Sequence, residues 1–434
     1  MDPYYELAYA LESKSLCLFV GTGFSMHITN GKAPNWLELL QKCCKKIADG
    51  DELSEQLFPD GKPIMPLEEC ASVIKVKMDV QGKCLHTEIS KIIKKVKVGS
   101  NAKVTKDFLN KFPYLKAITT NYDLLFESEL LDKDMSTSYS SGYPVSRQPK
   151  GVEIYHMHGS IKYPSKMVVT AEDYFRFINK PDYFSSKVQT LIEENTTIIM
   201  GYSLGDINFK SILNKLRTNR QHDINRQHLF FLSRSKVDGL LKDYYDRTYG
   251  LRVIDETDID IFIKNISKKH KLIKDRVSKS RALLIPVLEG TQKFTDSYLK
   301  KRESFFEILS TLSSNGIIVS HSNVVNFLKD VLKRKRGFTG ESGAWNQYVH
   351  LASWLVQLGA IMDISETPLE EIYLAAVEKS FDNMSKRQVL GLSWESFNIW
   401  KQGWQHLTYQ NRVMICSYVK DKNLSEDVDE VIEQ

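Results

Sequence analysis

The sequence predicts an α/β fold, a doubly wound and mostly parallel sheet, followed by an all-α C-terminal domain. Three observations predict it. From Leu16 to about Lys269, short apolar runs alternate with segments of helical periodicity, the order that builds a parallel sheet with crossover helices. Several of those runs end in glycine and polar residues. Beyond Lys269, strand-like runs become scarce, and long amphipathic segments rich in leucine and aromatics take over.

The apolar runs are residues 16–20, 115–119, 152–155, 167–169, 197–200, 228–232 and 251–254, each short enough for a buried strand. After Pro34 and Asn35, which supply a helix-start signal, Trp36, Leu37, Leu40, Cys43, Cys44 and Ile47 recur at helical spacing. Phe209, Ile212, Leu213 and Leu216 do the same after Asp206, as do Val237, Leu240, Leu241 and Tyr244. In the second half, residues 298–312, 324–332, 345–358, 369–381 and 394–418 carry helical stripes. The division is read as 1–270 and 271–434, with the basic stretch 268–279 as connector.

Composition bounds the class. A chain of 434 residues, 42% hydrophobic and 26% charged, is an ordinary soluble globular composition and is long enough for roughly two to four domains. The net charge of +5, from 59 basic and 54 acidic residues, is too small to imply a polyanionic partner by itself. Cys17, Cys43, Cys44, Cys70, Cys84 and Cys416 form no CxxC pair and no Cys/His cluster at ligand spacing, which argues against structural zinc. The chain opens without a basic segment and apolar stretch, and no uncharged apolar run approaches the roughly 18 residues of a membrane span. The expectation is a cytoplasmic protein with reduced thiols and no membrane partner.

Three basic stretches, 91–97, 268–279 and 333–336, read first as solvated faces. Lys333-Arg334-Lys335-Arg336, with Phe338 close behind, is the best nucleic-acid candidate among them. The aromatic stripe of Trp345, Tyr348, Trp354, Trp394, Trp400 and Trp404 reads as helix-packing core, part of it as an oligomer surface.

The chemistry lies in four short segments, each at the end of an apolar run. Polar residues and glycines just past several parallel strands converge on one crevice. Gly21-Thr22-Gly23-Phe24-Ser25 offers two glycines for a tight turn whose backbone amides suit a diphosphate, although Met26 stands where a full GxGxxG would have glycine. The same residues serve equally as a structural turn. Thr120-Asn121-Tyr122-Asp123 places an amide and a carboxylate just beyond a strand, where cap and turn roles are also open to them. His156-Met157-His158-Gly159 puts two histidines on one strand face. His158 is the candidate for proton transfer, and a satisfied core histidine fits His156 better. Gly201-Tyr202-Ser203-Leu204 enters another glycine-bearing turn, with Asp206 as the cap of a following helix.

In this order and strand context the four segments resemble the sirtuin-like family, over roughly the first 270 residues. The resemblance implies a Rossmann-like sheet with NAD+ bound as substrate. Gly21, Thr22, Gly23, Phe24 and Ser25 would contact the dinucleotide, and Asp123 would lie with Asn121 by the nicotinamide ribose. Asn121 and His158 would be the catalytic residues, and Gly201 and Ser203 would border the adenosine half. Two departures matter. No cysteine occurs between Cys84 and Cys416, so the four-cysteine zinc module of protein-deacylating sirtuins is absent, and Gly31-Lys-Ala-Pro-Asn-Trp36 replaces their Pro-x-Phe-Arg stretch.

The pattern looks instead like the sirtuin-like NAD hydrolases of bacterial antiphage defence, which empty infected cells of NAD. That resemblance implies a zinc-free NAD+ glycohydrolase releasing nicotinamide and ADP-ribose, with the helical domain regulatory or for assembly. It also implies a homo-oligomer or a partner such as a HerA-like ATPase. The alternatives are a non-catalytic NAD-binding subunit beside an ATPase or an Argonaute-type partner, and a protein deacylase or ADP-ribosyl transferase. Chemically, nicotinamide leaves as a neutral pyridine, so its departure needs no acid. A site need only orient water and stabilise charge on the ribose, and a positioned base contributes ~10²–10⁴-fold.

Overall fold

The computed structural model describes residues 2–433, apart from 144, 147, 180–182, 204–212, 214–228, 316, 318–320, 389, 390, 421 and 423. The predicted helix from Phe209 to Leu216, with its Asp206 cap, and Leu204 of the fourth segment lie outside the described residues, Leu213 excepted.

Seven strands form one sheet: β1 (Leu16–Val20), β2 (Lys116–Thr119), β3 (Ser136–Ser140), β4 (Val152–His156), β5 (Thr196–Met200), β6 (Leu229–Leu232) and β7 (Leu251–Ile254). Their order is β3-β4-β2-β1-β5-β6-β7, and every pairing is parallel. The chain builds outward from β1 on one side through β2, then crosses back to β5 and builds on the other. That reversal leaves a crevice beside the end of β1. Register makes the crevice tight: Val20 pairs with Thr119 and with Met200, and Thr119 with His156. The residues after these four positions are the four glycine-bearing or polar segments.

Helices around the sheet are α1 (Pro3–Glu12), α2 (Thr22–Ile28), α3 (Trp36–Cys44), α4 (Gly50–Leu57), α5 (Leu67–Val80), α6 (Leu85–Ile93), α7 (Ala102–Lys111), α8 (Ala171–Asn179) and α9 (Tyr183–Glu194), then Gly239–Tyr249 and Ile259–Leu288. Alternation along the strands sends Cys17, Phe19, Ile118, Tyr155 and Ile199 to one face, packed on Phe184, Val188 and Leu191 of α9. Leu18 and Val20 point the other way and are equally buried. A sheet covered on both faces explains why its inner strands read as unbroken apolar runs.

Asn35 starts α3 as its position promised. Its side chain accepts from Glu38 N at 2.9 Å, and the Glu38 carboxylate accepts from Asn35 N at 3.0 Å. Helices α3 to α6 then share an apolar core of Leu40, Cys44, Ile74, Met78 and Ile89, which also takes in Tyr122, Met167 and Val169.

That cluster corrects one expectation. Residues 167–169 are not a strand; Met167 and Val169 are apolar because they pack against the α3–α6 cluster, not because they pair in the sheet. The strand that takes a place in the sheet instead is β3, whose Ser-Thr-Ser-Tyr-Ser sequence holds no apolar run. The basic stretch 268–279 is helical, inside the 30-residue helix Ile259–Leu288, and it spans the point at residue 274 where one compact unit gives way to the other.

The chain forms two compact units, one built before residue 274 and one from Lys274 onward. Among the described residues the second is helical: Ser304–Ser314, Ser322–Phe338, Trp345–Ile361, Glu370–Asp382, Ser393–Gly403 and Tyr409–Val419 are its longer helices. The run read as 394–418 is therefore broken, at Trp404 to Thr408, and that read as 298–312 at residues 300–303. Trp354, Trp400 and Trp404 are in its core, whereas Trp345 is exposed. Helix geometry also disperses the basic run. Lys333 faces solvent, Arg334 pairs with Asp296 and Asp330, and Lys335 is fully buried, so the four charges do not form one patch.

Candidate active site

Three glycines let the ends of β1 and β5 touch. Gly21 N donates to Met200 O at 3.0 Å and Gly23 N to Gly201 O at 2.9 Å. Gly201 has φ of 76°, and a Cβ there would stand 2.3 Å from Phe24 N. A Cβ on Gly21 would meet the Tyr202 ring at 2.7 Å, and one on Gly23 would meet Gly201 Cα at 2.9 Å. The turn closes directly into α2, which carries Ser25 inward.

Across this turn sits Asn121. Its side-chain Nδ2 donates to Gly21 O at 2.9 Å and to Ser25 Oγ at 2.8 Å. Because a backbone carbonyl can only accept, the amide orientation is fixed, and Oδ1 keeps its capacity to accept from a ligand. Ser25 passes its own hydrogen to Asp123 Oδ2 at 2.7 Å, while Leu125 N donates to Asp123 Oδ1 at 3.1 Å. Burial raises the Asp123 pKa, and these two hydrogen bonds pull it back only in part.

His158 follows β4, buried, with Tyr174 and Phe177 edge-on to its ring, each at 5.4 Å between centroids. Burial pulls its pKa down to about 4, so the imidazole is neutral near pH 7 and can accept a proton. Gly159, at φ of 78°, turns the chain so that Val168 N donates to His158 O at 2.9 Å.

Thr22, Ser25, Asn121, Asp123, His158, Gly201 and Ser203 line a single cavity of about 490 Å³. Gly21 and Gly23 shape it through the backbone contacts above. Phe24 does not line it: its ring is buried and stacks on Phe126 at 5.2 Å. His156, two residues before His158, sits in the core, as its sequence context implied.

The cavity also has walls that no motif announced. Trp36 and Leu37 of α3, Leu67 of α5 and Ile93 of α6 form an apolar side, and Tyr174 of α8 closes against His158. These residues carry no local signal, since only folding of the α3–α6 cluster brings them there. Thr120 and Tyr202, whose hydroxyls hydrogen-bond across the crevice, stood inside the recognised segments unremarked.

Residues 116–254 match the model of the SIR2-like domain. The chain is 23% identical over 336 residues to defense-associated sirtuin 2 of Bacillus subtilis, covering 73% of this chain and 32% of that protein. It is 21% identical over 276 residues to the NAD(+) hydrolase ThsA of Bacillus cereus (strain MSX-D12), covering 62% of this chain and 53% of the relative. A ThsA of Cytobacillus dafuensis is 24% identical over 249 residues, covering 56% of this chain and 47% of the relative. The chain thus spans about a third to a half of the length of these curated relatives. The crevice at β1, the order of its four segments and these matches agree in one likeness, that of residues 116–254 to the SIR2-like domain.

Proposed function

We propose that the protein is an NAD+ hydrolase that cleaves the nicotinamide–ribose bond to give nicotinamide and ADP-ribose. One observation carries the reading: Asn121, whose amide hydrogens are both committed to Gly21 and Ser25, shares a cavity with a neutral His158 and the Asp123 carboxylate. In that arrangement Asn121 Oδ1 holds a water or ribose hydroxyl by accepting its hydrogen. As the bond to nicotinamide breaks, its electron pair goes to the pyridinium nitrogen, and positive charge develops on the ribose, where the Asp123 carboxylate stabilises it. Water adds to the anomeric carbon and gives its proton to His158. Gly21, Thr22, Gly23 and Ser25 hold the diphosphate side, and Gly201 and Ser203 border the adenosine half.

The names of the relatives support a biological setting. The chain is similar to a defense-associated sirtuin and to NAD(+) hydrolases, and on that likeness the activity here is read as serving antiviral defence by NAD depletion. The helical unit is then a regulatory or assembly element, acting in a homo-oligomer or with a partner protein. Incubation of the purified chain with NAD+ and chromatography of the products tests the chemistry. Nicotinamide and ADP-ribose should accumulate in equal amounts, and both Asn121→Ala and His158→Ala should abolish the loss of NAD+ while leaving the circular dichroism unchanged. Undiminished hydrolysis in both variants refutes it.

A further inference from the structure

Immediately behind Asn121 lies an ion pair, of a buried histidine and a partly buried glutamate, that the chemistry above does not use. His156, the last residue of β4, is 1% exposed. Its Nδ1 faces the backbone carbonyl oxygen of Asn121 at 3.4 Å and its Nε2 faces Glu127 Oε1 at 2.6 Å. A carbonyl only accepts, and an ionised carboxylate only accepts, so the geometry asks for a hydrogen on both nitrogens. Glu127 comes from Phe126–Leu130, a π-helical turn that begins three residues after Asp123. Such turns are rare and recur at functional sites, because the extra residue re-aims a side chain. Here the side chain it aims is Glu127. Ser138 of β3 donates to the same Oε1, and Oε2 is buried without a hydrogen bond among the described residues.

We propose that His156 is the positioning residue of the site: clamped between Glu127 and the Asn121 carbonyl, it fixes the backbone of the Asn121–Asp123 segment against the Gly21 turn. The proposal rests on the hydrolase reading for its catalytic consequence, and on geometry alone for the clamp. The charged groups facing His156 are Glu127 from the π turn and Asp123 from the segment after β2; Ser138 from β3 adds a neutral hydroxyl. Burial by itself would lower the His156 pKa, but the hydrogen bond and charge of Glu127 raise it above the usual histidine value. Burial likewise works against the Glu127 carboxylate, yet its bond to His156 leaves it below the usual glutamate value. The clamp is complete below the raised His156 pKa and is lost as pH rises through it, when one of its two donated hydrogens disappears.

Selective ¹⁵N labelling of histidine and asparagine in the full chain, with NAD+ turnover across pH, tests this. In the wild type His156 should keep the signals of an imidazolium to higher pH than a free histidine, and the turnover should fall on the alkaline side as that signal titrates. Glu127→Gln removes the charge but keeps the shape; it should lower the pH at which His156 titrates, shift the Asn121 amide resonances and move the alkaline limb to lower pH. His156→Gln, which cannot titrate, should lower kcat by roughly ten- to a hundredfold with KM within about twofold, and should show no alkaline limb, because misplacement of a catalytic segment acts on orientation. A wild-type His156 that titrates no higher than a free histidine, or Asn121 resonances and a pH profile unmoved by Glu127→Gln, overturns the proposal. An imidazolium coupled to the Asn121 resonances in a protein that leaves NAD+ intact supports the clamp and refutes the hydrolase reading instead.

Discussion

Ser25 donates its hydroxyl hydrogen to the Asp123 carboxylate at 2.7 Å, and the two residues are 98 positions apart in the chain. The same hydroxyl accepts from Asn121, so a single oxygen links the first turn of the sheet to both polar residues after β2.

Ser25→Ala removes that link from both sides. It deprives Asn121 Nδ2 of an acceptor and Asp123 of a donor, a cost of about 1–3 kcal/mol for groups left without partners. Burial already raises the Asp123 pKa and the Ser25 hydrogen bond holds it down, so the pKa rises further in the variant. A carboxylate with a raised pKa becomes protonated earlier as pH falls. Steady-state NAD+ turnover should therefore drop at least roughly tenfold at pH 7, with its acid limb displaced to higher pH.

Gly201→Ala strikes the contact between the ends of β1 and β5. The backbone conformation alone costs about 1–3 kcal/mol for a residue with a side chain, and the added carbon would lie 2.3 Å from Phe24 N. The expected result is a lower melting temperature together with loss of NAD+ binding by calorimetry. A stable variant that binds normally would contradict the close approach described here.

Buried Glu6 of α1 and partly buried Arg252 of β7 form an ion pair, with Arg252 Nη1 2.9 Å from Glu6 Oε1 and the guanidinium 4.3 Å from the Phe230 ring centroid. Removing only the acid takes a carboxylate from a partly buried cation. Glu6→Ala should destabilise the chain by about 1–3 kcal/mol in urea unfolding; an unchanged midpoint would show that the pair contributes nothing to stability.

Lys335 is fully buried and donates to Leu299 O and Gln347 Oε1, each at 2.9 Å, with no carboxylate among those bonds. Its Nζ lies 4.5 Å from the Trp354 ring centroid. Burial, with a smaller contribution from Lys300, pulls its pKa down to about 7 from an ordinary 10.5. The unfolded chain thus binds a proton that the folded one releases between those values, so stability rises with pH across that interval. Tryptophan fluorescence during urea unfolding reads this unit, since all of the tryptophans but Trp36 lie beyond residue 274. The midpoint should climb from pH 7 to pH 10 in the wild type and stay flat in Lys335→Met.

The crevice was legible in the sequence because its parts are local: a glycine turn, an amide and carboxylate, and a histidine each stand within a few residues of a strand end. What escaped depended on packing. β3 carries Ser136, Thr137, Ser138 and Ser140, so periodicity has nothing to register, and only its hydrogen bonds to β4 make it a strand. Met167 and Val169 misled in the opposite direction, being apolar for the sake of a helical cluster. The stretch 268–279 does hold the boundary between the two units, but its lysines masked its helical form, a buried stripe of Ile266, His270, Ile273 and Val277 at helical spacing. Trp36, Leu67 and Ile93 reach the cavity from three separate helices, a convergence that no window of sequence contains.

The family match begins at residue 116, yet β1, at residues 16–20, is the strand that joins the two halves of the sheet. A fragment cut to the matched residues would keep β2 and β5 but lose β1, which is bonded to both. It would present two naked strand edges in the middle of what had been a continuous sheet, the arrangement most prone to pair with other chains. The residues that the family model matches and the residues that close the sheet are therefore different lengths of chain, and β1 belongs to the second.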